Sequence, residues 1–246
     1  MNICIAQIRP VKGNIQQNIQ THLHMVSRAV TYNADFILFP ELSITGYEPT
    51  LVKVLSADIE GTIRSSFQDV ADKYSIFIAV GVPLSTEQGI TISLYLFQPN
   101  TAPLIYSKQA LHKDEYPYFI GGDTQVVFDI KGEKIAFGIC YESLLEAHFM
   151  AACKNGAEIY LASVAKSEEG IEKACTHYSL MASNYSIPVF MSNCIGMCDQ
   201  FMSAGQSAIW NPNGECVAQL SSEMEGLLIY DTESADVNSE QISLTN

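Results

Sequence analysis

Cys140 ends an apolar run, IAFGIC, and directly precedes a stretch that is typical of the start of a helix. A helix N-terminus favours negative charge, so a thiolate at this position would be stabilised. Two further reactive groups also follow apolar runs: Glu41 comes after FILFP, and Lys108 ends PLIYSK. A thiol, a carboxylate and an ammonium that met in one crevice would supply the nucleophile, the base and the oxyanion stabiliser that amide hydrolysis needs.

Each of these three residues also has an ordinary interpretation. Cys140 alone is typical of a buried structural cysteine, Glu41 of a helix cap or surface carboxylate, and Lys108 of a surface lysine. Their positions at strand ends favour the chemical interpretation, because groups that follow the carboxyl ends of strands in an α/β fold converge on one crevice. Sequence spacing alone does not establish that they meet.

Strand-like and helix-like stretches alternate along the chain, which predicts one α/β domain with two sheets covered by helices. Apolar residues recur at helical spacing, with Asn14 as the first N-cap, in 15–30, 63–74, a segment from about 144, and 171–185. Short apolar or β-branched runs predict strands or strand pairs at 3–8, 35–40, 76–84, 90–98, 103–108, 126–130, 134–140, 158–164, 188–196, 206–220 and 225–231. The polar tail from about 232 is expected to be loosely held.

The composition of the chain excludes some classes of partner and indicates its redox environment. The 246 residues carry 27 acidic against 13 basic side chains, a net charge of −14. We therefore expect no nucleic-acid partner and no anionic membrane surface, since both need a basic footprint; the acids are more simply explained as keeping the chain soluble. Seven cysteines without regular spacing, and no leader or apolar span in MNICIAQIRPV, favour a reduced, cytoplasmic setting.

Five segments in order make the chain resemble the nitrilase, or carbon–nitrogen hydrolase, superfamily. FPELSITGY (39–47), YSKQALHKDEYPYFIGGD (106–123) and GICYE (138–142) resemble its glutamate, lysine and cysteine motifs. MSNCIG (191–196) and GQSAIWNPNG (205–214) resemble the segments that follow them. Each match alone is weak, whereas five in order at similar spacing are specific.

The resemblance implies a four-layer α-β-β-α sandwich, a single domain over 1–246, with Glu41, Lys108 and Cys140 as the catalytic triad. It also implies that Glu115 positions the lysine and the substrate, although Glu115 could instead be a solvated loop acid. The backbone N–H of Tyr141 would join Lys108 in holding the oxyanion.

The activity that the resemblance implies is hydrolysis of a small linear amide through a thioester, with release of ammonia or an amine. No metal and no organic cofactor is expected, and the partner chain would be a second copy, in a homodimer or higher homo-oligomer. The alternatives are hydrolysis of an N-carbamoyl (ureido) compound or of a nitrile, or, in a different class, a non-catalytic binding protein that retains the fold.

The chain departs from the family pattern where the substrate would bind. Many members carry an arginine four residues after the cysteine, and Leu144 occupies that position. A substrate carboxylate normally prefers a guanidinium, so analogy to members with acidic substrates is in doubt. Lys166 and Lys113 are the nearest candidate substitutes, although Lys166 is also typical of a solvated loop residue.

Several other residues near the motifs invite a functional interpretation. Tyr47, Tyr116 and Phe119 flank the motifs and are candidate pocket residues together with Lys166, although aromatic residues in such loops are as often packing groups. His148 and His177 lie on predicted helices, and we expect them at the surface or at an interface.

Overall fold

Two β-sheets lie face to face, and helices cover the outer side of each. The computed structural model describes residues 1–123 and 125–242. Within those residues the first sheet has seven strands: β1 (Asn2–Gln7), β2 (Phe36–Leu38), β3 (Phe77–Ser85), β4 (Ile90–Gln98), β5 (Thr101–Ser107), β14 (Glu225–Asp231) and β15 (Val237–Ile242). The second has six: β6 (Val127–Ile130), β7 (Glu133–Ile139), β8 (Ile159–Val164), β9 (Val189–Asn193), β12 (Ala208–Trp210) and β13 (Cys216–Gln219).

The remaining elements are a short hairpin and the helices. The hairpin pairs β10 (Ile195–Cys198) with β11 (Phe201–Ala204). The helices are α1 (Ile15–Thr31), α2 (Val52–Leu55), α3 (Ile59–Tyr74), α4 (Glu146–Lys154) and α5 (Glu168–Tyr185). None of the helices in 1–123 and 125–242 combines the length and apolarity needed to cross a bilayer.

The first strand illustrates why the chain needs layers on both sides of each sheet. Side chains alternate across a strand, so Ile3 and Ile5 in β1 point into the core between the two sheets, while Cys4 and Ala6 point into the core under the helices. All four are fully buried. A strand that is apolar on both faces requires a covering layer on each, which the opposite sheet and the outer helices supply.

Strand order brings several strand ends to the same edge of the molecule. The first sheet has the order β15-β14-β1-β2-β3-β4-β5 and the second β13-β12-β9-β8-β7-β6. The runs β1-β2-β3 and β7-β8-β9 are parallel, and antiparallel strands flank both. The two sheets are tied at this edge, because the Ser163 hydroxyl donates to the Phe39 carbonyl (2.8 Å) and the Ser192 hydroxyl to the Ala6 carbonyl (2.7 Å).

The predicted α-β-β-α sandwich is confirmed, and so is the first helix cap, since Asn14 Oδ1 accepts from the Gln17 N–H. The expectation of a loosely held tail is wrong. Residues 237–242 form β15, which pairs with β14 from Glu225 to Tyr230 at the edge of the first sheet. The last residues of that predicted tail, 243–246, lie outside the described part of the chain.

Candidate active site

The polypeptide turns sharply at Cys140, directly after β7. Cys140 has φ +49°, a left-handed conformation that side chains other than glycine rarely adopt. Its N–H donates to the Ser163 carbonyl at 3.0 Å, so the turn is fixed against the end of β8. A single 3-10 turn, Glu142–Leu144, precedes α4. Within the described residues the Tyr141 N–H has no acceptor, and a backbone donor beside the thiol is available for an oxyanion.

Glu41 follows β2 and reaches the same place from the opposite sheet. Ser163 links the two segments, because its hydroxyl binds the Phe39 carbonyl just before Glu41 while its own carbonyl accepts the Cys140 N–H. Gly81 of β3 makes room for this loop, since an added Cβ there would lie only 2.5 Å from the Leu42 nitrogen. The elements therefore bring a carboxylate and a thiol to one point from separate sheets.

Lys108 follows β5 and forms the centre of a buried charge cluster. Its Nζ donates to Glu41 Oε1 at 2.9 Å and to Glu115 Oε1 at 2.6 Å. The three side chains are 0–2% exposed. One cation between two carboxylates in a dry site is held by charge-assisted hydrogen bonds, which fix its geometry. The second oxygen of Glu41, Oε2, is buried and accepts no hydrogen bond from the described residues, so it is available to take a proton.

Burial and charge set the protonation states in this cluster. Burial raises the pKa of Glu41, and the Lys108 ammonium opposes that rise. Burial would lower the pKa of Lys108, but the negative charges of Glu41, Cys140 and Glu115 outweigh it and the pKa is raised. The pKa of Cys140 is raised to about 11, first by burial and then by Glu41. At neutral pH the lysine is therefore charged, and the thiol keeps its proton until a base removes it.

Glu115 is fixed by contacts on both of its oxygens. Tyr47 donates its hydroxyl to Oε1 at 3.0 Å, and the His112 N–H donates to Oε2 at 2.7 Å. Because Glu115 is 1% exposed and bonds to Lys108, the interpretation of Glu115 as a solvated loop acid is wrong. Tyr47 therefore acts on the lysine through the glutamate.

An open cleft of about 680 Å³ leads to Cys140, a volume suited to a small molecule. Tyr47 and Lys166 line it, as expected of pocket residues, together with Tyr118, Tyr141, Leu144 and Phe201. The structure does not bring the other two candidates there. Tyr116 points to solvent with 68% exposure, and Phe119 is 3% exposed in the core between the sheets.

Lys166 is not the solvated loop residue that its position suggested. It is 6% exposed, and its Nζ lies 3.8 Å from Cys140 Sγ and 3.5 Å from the Cys140 carbonyl oxygen. The sequence contained one sign that Lys166 lies at the site. Lys166 closely follows the buried strand β8, as Glu41 and Cys140 closely follow β2 and β7. Lys113 is exposed and does not line the cleft.

Glu142 is a site residue that sequence reasoning missed. It is fully buried, and its carboxylate accepts four hydrogen bonds. Oε1 accepts from the Ile139 N–H and the Tyr106 hydroxyl, both at 2.8 Å, and Oε2 accepts from the N–H groups of Gln109 (2.6 Å) and Ala110 (3.2 Å). Ile139 lies in the strand before the nucleophile, Tyr106 in β5, and Gln109 and Ala110 in the loop after Lys108, so one carboxylate joins all three segments.

His148 extends this network, so the surface position, one of the two expected for it, is wrong. It is 8% exposed, and its ring nitrogens lie 2.9 Å from the hydroxyls of Tyr106 and Tyr160. Burial lowers its pKa to about 4, so the ring is neutral at pH 7. His177 is partly buried on α5. The helical position of His148 gave no sign of burial, because the tyrosines that contact it come from other elements, Tyr106 from β5 and Tyr160 from β8.

We expect Glu142→Gln to destabilise the fold and to slow any chemistry at Cys140. The amide would replace one acceptor oxygen with a donor that faces N–H groups, and unpaired buried groups cost about 1–3 kcal/mol each. Urea unfolding should therefore show a loss of about 2–3 kcal/mol. Glu146→Gln, an exposed acid at the start of α4, is the matched control and should stay within about 0.5 kcal/mol. Equal stability for the two variants would contradict the anchoring role.

Known proteins resemble this chain over nearly its whole length. A family model described as carbon-nitrogen hydrolase matches residues 2–240. A Schizosaccharomyces pombe protein named "Probable nitrilase" is 24% identical over 237 residues, covering 93% of this chain and 87% of that protein. A glutamine-dependent NAD(+) synthetase of Acinetobacter baylyi is 27% identical over 236 residues; these cover 92% of this chain but only 43% of that protein's length.

Solved structures share the fold. The NitN amidase from Nesterenkonia sp. AN1 superposes with a TM-score of 0.88 at 24% identity, covering 96% of this chain and 94% of that one. A mutant of the same amidase in complex with butyramide superposes with a TM-score of 0.86 at 23% identity, covering 93% and 89%.

Proposed function

The chain belongs to the carbon–nitrogen hydrolase family, and on that premise we propose that it hydrolyses a small linear amide through a thioester on Cys140. The observation that carries the proposal is the buried lysine held between Glu41 and Glu115, whose charges act on the thiol of Cys140 at the border of a cleft. A base, a fixed cation and a nucleophile are the groups that acyl transfer needs. The likeness to an amidase that has been solved with butyramide supports an amide as the substrate class.

Formation of the thioester begins with proton transfer. Glu41 Oε2 takes the thiol proton, and Sγ forms a bond to the carbonyl carbon of the amide. The carbonyl oxygen becomes an oxyanion, which the Lys108 ammonium and the Tyr141 N–H stabilise; one such donor is typically worth about 3 kcal/mol. Glu41 then gives its proton to the nitrogen, the carbon–nitrogen bond breaks, and ammonia or an amine leaves.

Hydrolysis of the thioester uses the same groups in a second round. Glu41, again a carboxylate, takes a proton from a water molecule whose oxygen attacks the thioester carbon. The oxyanion forms in the same place, the carbon–sulfur bond breaks, and the proton held by Glu41 returns to the sulfur. A carboxylic acid leaves, and Cys140 is a thiol again. Glu115 keeps Lys108 charged and in position throughout.

Ammonia release across a panel of small amides, ureido acids and nitriles tests the proposal and identifies the substrate class. We expect turnover of one or more linear amides by the wild type and none by Cys140→Ala. Selective turnover of ureido acids or of nitriles would assign one of the alternative activities to the same site. A wild type that cannot be distinguished from Cys140→Ala on the whole panel would favour the non-catalytic binding protein.

A further inference from the structure

Lys166 places a second cation at the nucleophile, in addition to Lys108. Its Nζ lies 3.8 Å from Cys140 Sγ and 3.5 Å from the Cys140 carbonyl oxygen, and its side chain borders the cleft. Within residues 1–123 and 125–242, no carboxylate oxygen lies within 4.0 Å of this Nζ. A buried ammonium normally has a carboxylate partner, so this cation is available to another anion.

The backbone of Lys166 is held in place from several directions. Its N–H donates to Asn193 Oδ1 at 2.9 Å, and its carbonyl accepts from the Ala204 N–H (2.9 Å), the Ser203 hydroxyl (3.1 Å) and Asn193 Nδ2 (3.2 Å). Gly170 in the first turn of α5 packs against its side chain, since an added Cβ would lie 3.2 Å from the Lys166 Cβ. These contacts restrict the directions in which the side chain can extend.

The two lysines stabilise different states of the proton transfer from Cys140 to Glu41. Before it, the negative charge is on Glu41, where Lys108 binds it at 2.9 Å. After it, the charge is on the sulfur, and Glu41 is neutral. Lys166 contacts the sulfur and makes no bond to Glu41, so it lowers the free energy of the state after transfer more than that of the state before. Opposite charges about 4 Å apart attract strongly at the effective dielectric of a protein site.

We propose that Lys166 is a catalytic residue that stabilises the Cys140 thiolate once Glu41 has taken the thiol proton. This role rests on the proposed function, in which Cys140 is the nucleophile. It adds Lys166 to the charged groups Glu41, Lys108 and Glu115. Electrostatics point the same way: burial and Glu41 raise the thiol pKa, and Lys166 is the largest of the effects that lower it, ahead of Lys108.

Alkylation of Cys140 by iodoacetamide, followed by peptide mass spectrometry from pH 6 to 11, tests this role without a substrate. Iodoacetamide is neutral, so its rate reports thiolate formation and not attraction of the reagent. In Lys166→Met and Lys166→Gln we expect the alkylation rate constant of Cys140 to fall about tenfold at each pH below the thiol pKa, since one unit of pKa corresponds to a tenfold smaller thiolate fraction. Lys166→Gln can still donate to the Cys140 carbonyl, which separates charge from hydrogen bonding. Lys166→Arg keeps the charge and should stay close to the wild type.

Lys154→Met removes an exposed lysine at the end of α4 and is the control that should match the wild type. If Lys166→Gln and Lys166→Met keep the wild-type alkylation rate, the inference is overturned while Cys140 can still be the nucleophile. A lower kcat/KM with an unchanged alkylation rate would mean that Lys166 contacts only the substrate. If the wild type turns over no compound of the amide, ureido-acid and nitrile panel faster than Cys140→Ala does, the proposed function itself fails.

Discussion

Cys140→Ala is expected to lower kcat by at least about 10⁴-fold, because the variant has no atom that can carry the acyl group and a positioned base alone replaces little of that chemistry. The fold should survive, since the side chain lies at a turn on the border of the cleft and its N–H keeps the bond to Ser163. The measurement is ammonia release on the best amide of the panel, at saturating substrate. Substrate binding should change little.

Cys153→Ala is the matched control for this variant. Cys153 is half-buried on α4, outside the cleft, so removing its thiol should leave kcat within about twofold and cost no more stability than a small cavity does. An equal loss of activity in both variants would point to general damage by cysteine removal and would contradict the special role of Cys140.

Glu41→Gln is expected to lower kcat by about 10²–10⁴-fold, the usual contribution of a positioned acid–base group. Glutamine keeps the shape but cannot take the thiol proton. The pH profile provides a second readout. Glu41 must be unprotonated to act as the base, and burial raises its pKa, so the wild-type kcat/KM should fall with decreasing pH at a point above the ordinary glutamate value. This acid limb should be absent in the variant.

Glu48→Gln is the control for the loss of a buried carboxylate. Glu48 is 4% exposed and pairs with Lys12 at 2.7 Å, apart from the charge cluster around Lys108. It should lose stability without losing the acid limb of the pH profile. An acid limb that persists unchanged in Glu41→Gln would show that another group is the base.

The positions of the reactive groups along the chain were predictable because local sequence encodes them. Glu41, Lys108 and Cys140 each follow an apolar run, and strand ends in an α/β fold share an edge. Their contact was not predictable from spacing, because it depends on sheet order and on one cross-sheet link, Ser163, that binds both the segment before Glu41 and the N–H of Cys140. The resemblance to a family indicated the three residues as a set, and the structure supplied the distance between Lys108 and Glu41.

The burial of Glu142 and His148 could not be predicted, because it depends on residues from other elements. Glu142 is buried because N–H groups from the loop at Gln109 and Ala110 happen to face it, and His148 because two tyrosines reach it. All of these partners lie in other elements of the fold, between 12 and 42 residues away along the chain. For Phe119 the burial was predicted in the wrong place. This aromatic residue beside a motif was interpreted as a pocket residue, but it is buried in the core between the sheets.

The final strand was missed because its sequence lacks the usual pattern. β15 is an edge strand with few apolar residues, VNSEQI, and it is held by pairing with β14 and by the ion pair of Glu240 with Arg28. An edge strand that faces solvent needs little apolar alternation. Hydrophobic periodicity therefore could not separate it from a disordered polar tail.

Detection of an acyl group on Cys140 would show that this thiol is the nucleophile. The enzyme is mixed with its best amide, the reaction is stopped with acid at times within the first turnover, and the intact protein and its peptides are weighed by mass spectrometry. We expect a mass increase equal to the mass of the amide minus that of ammonia, located on Cys140 and absent from Cys140→Ala. Ammonia and acid formed at the full rate, with no acyl group on Cys140 at any time in the first turnover, would contradict it.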